Sequence, residues 1–204
     1  MKNNKIIKVV LAAGLSKRFG LKNKIFEKIN GKTLIETILD RLIQIDSNKN
    51  NIVVIGGNNY NSLKKTLNKY DIKVFYNKNY KNGLGSSVSF IFKKKINKNG
   101  IMFIPGDMPL ISTKDFKKLI YAFACKKNKI ISPCYKKQIG NPIIIPKIYF
   151  SLLKNLKKDE GARKFLPFKD FIYVPCSYGT IFDIDTKYEL LKGKLLNKRL
   201  NNLI

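Results

Sequence analysis

The chain has 204 residues, 44% of them apolar, with 41 Lys and Arg against 13 Asp and Glu, a formal net charge of +28 and no histidine. That length suits a single domain burying about 70% of its unfolded surface, and no apolar run approaches the ~20 residues that cross a bilayer. Three widely spaced cysteines (Cys125, Cys134 and Cys176), without a CxxC pair or histidine, argue against a zinc site, so buried, reduced thiols are expected.

Short runs rich in Ile and Val, bounded by Gly, Pro or Asn, predict strands. The first, Ile6–Ala12, follows Met1–Lys5 directly, with no signal-peptide pattern, so the protein is read as cytoplasmic, without a membrane partner. After Thr33, a candidate cap, Leu34, Ile35, Ile38, Leu39, Leu42 and Ile43 share one helical stripe. Strands are predicted next at Ile52–Ile55, Ile72–Tyr76 and Ile101–Ile104. Ser112-Thr-Lys-Asp115 opens a second helix with Phe116, Leu119, Ile120 and Phe123 inward, and strands recur at Lys129–Ser132, Pro142–Ile145 and Phe171–Val174. Alternating strands and helices predict a parallel-dominated sheet covered on both faces, with ligands beyond the carboxyl ends of its strands. The chain is read as one domain, 1–204, with a motif-bearing core at about 6–190 and a mobile Lys/Asn/Leu-rich tail at 191–204.

The basic excess points first to nucleic acid or an anionic surface. Lysines are spread along the whole chain among many Asn and Ile, which fits A/T-rich codon drift and a solvated surface. Against that background arginine is sparse: Arg18, Arg41, Arg163 and Arg199 are all there is. Arg18 and Arg163 fall in motifs suited to phosphate, whose oxygens a guanidinium grips as a fork.

The stretch Leu11-Ala-Ala-Gly-Leu-Ser-Lys-Arg-Phe-Gly-Leu-Lys-Asn-Lys24 follows the first strand. Small Ala12, Ala13 and Gly14 let backbone N–H groups approach an anion, and Ser16, Lys17, Arg18 and Lys24 add a hydroxyl and positive charge, so a triphosphate is the expected guest. The spacing is neither GxxxxGK[ST] nor GxGxxG, and a tight strand-to-helix turn with exposed lysines is the alternative. Asp107, in Pro105-Gly-Asp-Met-Pro109, is the first carboxylate after an apolar strand; Asp183-Ile-Asp185-Thr forms a late acidic pair that alternation puts on one side. Carboxylates at strand ends suit Mg²⁺, while helix capping for Asp107 and turn or cap duty for Asp185 are the structural alternatives.

Taken together, Leu-Ala-Ala-Gly-x-Ser-x-Arg-Phe-Gly with Lys24, Gly83-Leu-Gly-Ser-Ser87, Gly106-Asp-Met-Pro109, Gly140-Asn-Pro142, Asp159-Glu-Gly-Ala-Arg163 and Asp183-Ile-Asp-Thr186 resemble, in order, the motifs of the molybdenum cofactor cytidylyltransferases. These CTP:molybdopterin cytidylyltransferases lie within the MobA-like NTP transferases, alongside the molybdopterin guanylyltransferases. The resemblance implies a single-domain, Rossmann-like α/β three-layer sandwich with a mixed, mostly parallel sheet, of the nucleotide-diphospho-sugar transferase type. It implies transfer of CMP from CTP to the terminal phosphate of molybdopterin or molybdenum cofactor, with Mg²⁺ and release of pyrophosphate. A molybdenum enzyme would receive the product.

By the same resemblance Leu11, Ala12, Ala13, Gly14 and Ser16 belong to the nucleotide site, Arg18 meets the triphosphate and Lys24 the reacting phosphates. Gly83, Ser86 and Ser87 form a loop over base and ribose. Gly106 and Asp107 meet the metal and nucleotide, with Asp185 opposite Asp107 as metal ligand and Asp183 as a second candidate; Gly140, Asn141 and Arg163 line the acceptor side. Lys24, Arg18 and Asp107 are the catalytic set. Three departures fall mostly on the acceptor half: Asn141 where these enzymes often have histidine, Lys158 in place of a common glycine, and Lys187 in place of proline. Alternatives are a guanylyltransferase or another phosphorylated acceptor, a nucleic-acid-binding protein, for which no RNP-like or zinc-finger pattern is found, and a catalytically idle chaperone of a molybdenum enzyme.

Overall fold

Alternation along β1 (Ile6–Ala12) divides the interior in two: Ile6, Val10 and Ala12 enter one apolar layer, Ile7, Val9 and Leu11 the other. The computed structural model describes residues 6–19, 23–94, 96–126, 128–156 and 161–201. Gly20, Lys158, Asp159, Glu160, the side chain of Lys17 and residues 202–204 of the expected tail lie outside the described residues.

The other strands are β2 (Lys28–Ile29), β3 (Lys32–Thr33), β4 (Ile52–Gly56), β5 (Lys73–Tyr76), β6 (Gly100–Pro105), β7 (Ile130–Tyr135), β8 (Gln138–Ile139), β9 (Ile143–Pro146) and β10 (Phe171–Pro175). The helices are α1 (Leu34–Ile45), α2 (Tyr60–Leu67), α3 (Leu84–Phe90), α4 (Thr113–Cys125), α5 (Phe150–Leu153) and α6 (Lys187–Asn201). The main sheet runs β10-β7-β9-β6-β1-β4-β5, with β8 added to β7; β2 and β3 form a separate hairpin. β1 pairs in parallel with β4 and β6, β4 with β5, and β7 with β10, whereas β9 is antiparallel to both β6 and β7. The sheet is therefore mixed and mostly parallel, as expected.

One face packs α1 and α4 through Ile35, Ile38, Leu39, Leu42, Phe116 and Leu119; the other packs α3 and α5 through Val88, Phe150 and Leu153. Both predicted helix starts hold as capping boxes, Thr33 with Glu36 and Ser112 with Asp115. Glu36 is held at about 2: burial acts upward on its pKa, but Lys69 and the Thr33 hydroxyl and N–H bind the charged form and prevail. The helices α2, α3 and α5 are shorter; α2 buries Leu63 and Leu67, one turn apart, in the same layer as α1.

Two expectations need correction. Cys125 is exposed at the end of α4, while Cys134 and Cys176 are half-buried free thiols. The Gly83–Ser87 segment is the first turn of α3 rather than a loop: Gly83, at φ 89°, reverses the chain, and the Ser86 hydroxyl donates to the Gly83 carbonyl at 2.8 Å.

Lys8 departs from the pattern. It lies on the same side of β1 as Ile6 and Val10, is fully buried, and pairs with Asp46 at the end of α1. Asp46 also accepts from the Asn51 amide at 3.0 Å and the Asn48 N–H at 3.1 Å. Burial drives the lysine pKa down, with Asp46 opposing.

Candidate active site

β1 sits between β4, which follows it, and β6, reached only after the chain has moved outward to β5. That reversal is a topological switch point, where the loops leaving two adjacent parallel strands diverge and open a crevice. The loops involved are those after Ala12 and after Pro105. They are held at one level by the Gly106 N–H, which donates to the Leu11 carbonyl at 2.9 Å. A Cβ on Gly106 would stand 2.9 Å from that same oxygen, and backbone cannot yield as a side-chain tip can. Gly106→Ala is therefore expected to cost ~1–3 kcal/mol of stability and to shift the Asp107 turn; thermal unfolding and nucleotide titration report the two effects.

The crevice has a volume of about 430 Å³ and is lined by Leu11, Ala13, Gly14, Ser87, Asp107 and Asp183 on the side of the opening loop. Gly140, Asn141 and Arg163 line the other side, because antiparallel β9 begins where its neighbours end. Among the described residues nothing lies within 4 Å of where a Cβ on Gly14 would stand, so the space beside it is open. Ala12, by contrast, is buried in the core beneath the loop. Ser16, at φ 51°, engages its hydroxyl within the loop, donating to the Asn23 side chain at 2.9 Å and accepting from the Lys24 N–H at 3.2 Å. Those bonds brace the turn that presents Lys24.

Lys24 is the centre of charge. Its ammonium lies 2.6 Å from Asp107 Oδ2 and also pairs with Asp185 Oδ1, while the largely exposed Arg18 reaches Asp185 Oδ2 at 2.5 Å. Burial alone would lower the lysine pKa, but the two carboxylates outweigh it and raise it, so Lys24 is charged at neutral pH. The capping alternatives fall away on geometry: α4 is capped by Ser112, and α6 opens on Thr186, which exchanges hydrogen bonds with Glu189. Asp107 thus stands in the crevice wall, with Asp185 beside it through the shared Lys24 ammonium. Asp183 joins them; partial burial raises its pKa, and the negative charges of Asp107 and Asp185 add to the rise. Ile184 is buried between Asp183 and Asp185, and its N–H donates to the Asp107 carbonyl at 3.0 Å, which ties the acidic segments together.

Among the described residues Asp107 Oδ1 is buried with no hydrogen-bond partner, a costly state for a carboxylate oxygen. A hard cation bound by oxygen relieves that cost, so Asp107 with Asp185 fits a divalent metal completed by substrate oxygens. Among the described residues no cluster of three or more acidic, Cys or His ligands is assembled.

Sequence reasoning missed three supports. Arg41, on α1, donates to the Pro109 and Ile111 carbonyls and clamps the Asp107 turn from behind; its rarity in a lysine-rich chain was the available signal. Buried Asn77 donates to Ser86 and Ser87 at 3.1 Å each, fixing the start of α3. Asn23 braces the opening loop. Ser86 also donates to the Asn79 carbonyl, so both serine hydroxyls are engaged within the protein.

An α/β architecture with a mixed, mostly parallel sheet and an anion-suited, carboxylate-flanked crevice at its switch point defines the nucleotide-diphospho-sugar transferase type of fold. The MobA-like NTP transferase domain matches residues 8–171, and the chain belongs to that family. It is 31% identical over 122 residues to the bifunctional protein GlmU of Wigglesworthia glossinidia brevipalpis, 56% of this chain but 25% of the relative. The chain thus spans about a quarter of that protein's length. It is 25% identical to nicotine blue oxidoreductase of Paenarthrobacter nicotinovorans over 90% of this chain and 94% of the other. In fold it resembles Rv0371c of Mycobacterium tuberculosis in complex with manganese, with a TM-score of 0.74, 19% identity and coverage of 92% and 97%. It also resembles a CMP:2-keto-3-deoxy-manno-octonic acid synthetase complexed with CTP, with a TM-score of 0.72, 14% identity and coverage of 96% and 99%. Among the described residues no helix is long and apolar enough to cross a membrane.

Proposed function

We propose that the protein transfers CMP from CTP to the terminal phosphate of molybdopterin, releasing pyrophosphate. The observation that carries this reading is the Lys24–Asp107–Asp185–Arg18 cluster at the switch point, in a chain of the MobA-like family. A phosphate oxygen of the acceptor attacks the α-phosphorus, and the bond from that phosphorus to the bridging oxygen breaks as pyrophosphate leaves. The nucleophile is largely deprotonated at neutral pH, its second pKa lying near ~6, so no histidine is needed as base. Lys24 and Arg18 offset the charge that accumulates between two anionic groups, and the braced loop from Leu11 to Lys24 holds the triphosphate in line. Mg²⁺ held by Asp107 and Asp185, as the orphaned Asp107 oxygen supports, would neutralise phosphate oxygens and raise the electrophilicity of phosphorus. Manganese in the Rv0371c complex and CTP in the octonic acid synthetase are consistent with that chemistry.

The second reading, a guanylyltransferase, shares this machinery. Ala13, where guanylyl relatives more often carry a second glycine, favours cytidine. A thermal-shift comparison of CTP, GTP, ATP and UTP with Mg²⁺ tests the assignment: the largest stabilisation is expected with CTP, and a larger one with GTP selects the second reading. Arg18→Lys keeps the charge but loses the fork. It is expected to weaken nucleotide binding by about 3- to 10-fold, ~0.7–1.4 kcal/mol at 1.4 kcal/mol per tenfold; unchanged affinity by titration removes Arg18 from the triphosphate.

A further inference from the structure

Helix α6 has two apolar faces, and the fold covers one of them. Leu190 and Leu196 pack into the cluster that holds Ile29, Phe182 and Ile184, and Asn197 is buried on the same side. Gly193 lets the helix lie close: a Cβ there would stand 3.3 Å from Ile184 and 3.4 Å from Phe182. The other face is Tyr188, Leu191 and Leu195, spaced i, i+3 and i+7, and these side chains are 74%, 61% and 66% exposed. A single exposed leucine needs no explanation, whereas a row of three on a helix already held in place by the fold is the form in which helices are recognised.

The spacing is that of a coiled-coil seam. With Tyr188 and Leu195 at a and Leu191 at d, the three fall within about 60° of one another at ~100° per residue. That is narrower than the ~100° apolar face an amphipathic helix lays on a core, and on which a bilayer-bound helix also relies. In the same register Lys187 and Lys194 occupy g and Lys192 occupies e, all three exposed. Lys192 also lies over the rings of Tyr178 and Phe182. The one acid of the helix, Glu189, is turned back on its start, accepting from the Asp185 N–H at 2.7 Å and the Thr186 N–H at 2.8 Å. The flanks of the seam are therefore positive. A second copy would set lysine against lysine across it, on a chain of net charge +28. An acidic helix would set carboxylates there instead.

We propose that the outer face of α6 docks an acidic amphipathic helix of a partner protein, its apolar side chains interdigitating with Tyr188, Leu191 and Leu195 and its carboxylates pairing with Lys187, Lys192 and Lys194. The surface holds whichever nucleotide and acceptor the crevice takes, so it stands apart from the CMP-transfer reading. Because α6 follows directly on the Asp185 segment, a partner seated on Tyr188 stands three residues from a carboxylate of the Lys24 cluster.

The probe is a designed three-heptad peptide with Leu at a and d and Glu at e and g, labelled and titrated with the full chain by fluorescence anisotropy. The unaltered protein is expected to bind it at least about tenfold more tightly than a peptide of equal charge with Ser at a and d, which separates the seam from attraction by net charge. The double variant Leu191→Gln with Leu195→Gln is expected to weaken binding at least about tenfold. Both leucines are exposed and Gln suits a helix, so its thermal unfolding is expected within about 3 °C of the unaltered protein. Lys187→Glu with Lys194→Glu reverses one flank and is expected to weaken the Glu peptide while strengthening a peptide with Lys at e and g. Failure of the Glu peptide to bind, equal binding of the Leu and Ser peptides, or variants that bind as the unaltered protein does would overturn the proposal. Self-association in sedimentation that the Leu191→Gln, Leu195→Gln variant loses would overturn it in favour of a second copy. Binding to phosphatidylserine vesicles that the same variant loses, without binding of the peptide, would overturn it in favour of a bilayer.

Discussion

Asp107→Asn is expected to lower turnover at least about 100-fold, measured as pyrophosphate release from CTP with acceptor and saturating Mg²⁺. The substitution keeps the size of the side chain and one carbonyl oxygen but removes the charge. That charge binds Lys24 at 2.6 Å, and the other oxygen is buried without a hydrogen-bond partner among the described residues. A factor of 100 is ~2.7 kcal/mol at 1.36 kcal/mol per tenfold, the scale of removing one preorganised electrostatic interaction from a transition state. The fold is expected to survive, because the Asp107 turn is positioned by main-chain bonds, Gly106 to Leu11 and Ile184 to Asp107, and by Arg41. Asp183→Asn is the control. Its carboxyl lines the crevice but is absent from the ion pairs of Lys24 and Arg18, so a loss of less than about tenfold is expected. Near-normal turnover in Asp107→Asn, or equal losses in the two variants, would count against the proposed role of Asp107 in holding the metal.

Asp46→Ala is expected to destabilise the fold by ~3–5 kcal/mol, the cost of leaving a charge buried after its partner is removed. Lys8 cannot reach solvent from its place in β1, flanked by β4 and β6 and covered by the layer that holds α1. The alanine also deprives the Asn51 amide and the Asn48 N–H of their acceptor. The double variant Lys8→Met with Asp46→Asn removes both charges and is expected to recover most of the loss, since a well-packed apolar replacement of a buried pair is often neutral or better. Urea unfolding with an unchanged slope measures both variants. A loss below ~1 kcal/mol in Asp46→Ala, or a double variant as unstable as the single, would show that the pair contributes little. The pair lies at the end of β1 away from the crevice, so nucleotide affinity serves as an independent check that the site is intact.

Several features were legible in the chain because their causes are local. The β1 run, the capping boxes at Thr33 and Ser112 and the apolar stripes of α1 and α4 depend on neighbours within a turn or a strand, and each is found at its expected place. Residue type at strand ends and motif order single out Lys24, Asp107, Asp183 and Asp185; the structure pairs Lys24 with Asp107 and Asp185 and leaves Asp183 within reach of their charges. Other features depend on partners far apart along the chain. Helix α3 rests on the reversal at Gly83 and on Asn77, whose bonds to Ser86 and Ser87 no periodicity displays. Cys125 was expected inside on residue type alone, yet it falls at the solvent end of α4. Arg163 resembles a phosphate-side residue by motif, and the structure adds a contact that no motif displays: one of its nitrogens donates to the Gly140 carbonyl and the Ser132 hydroxyl.

The amino-acid sequence by itself determined the alternation of strands and helices, the small-residue opening of the loop after β1 and the family, because spacing and side-chain size act between near neighbours. Only the tertiary structure decided which charges meet. Lys24 lies 161 residues from Asp185, and Lys8 lies 38 from Asp46. Such pairs form only after the entropy of closing those loops has been overcome, and it is the packing of the sheet between its two helical layers that determines which partners come together.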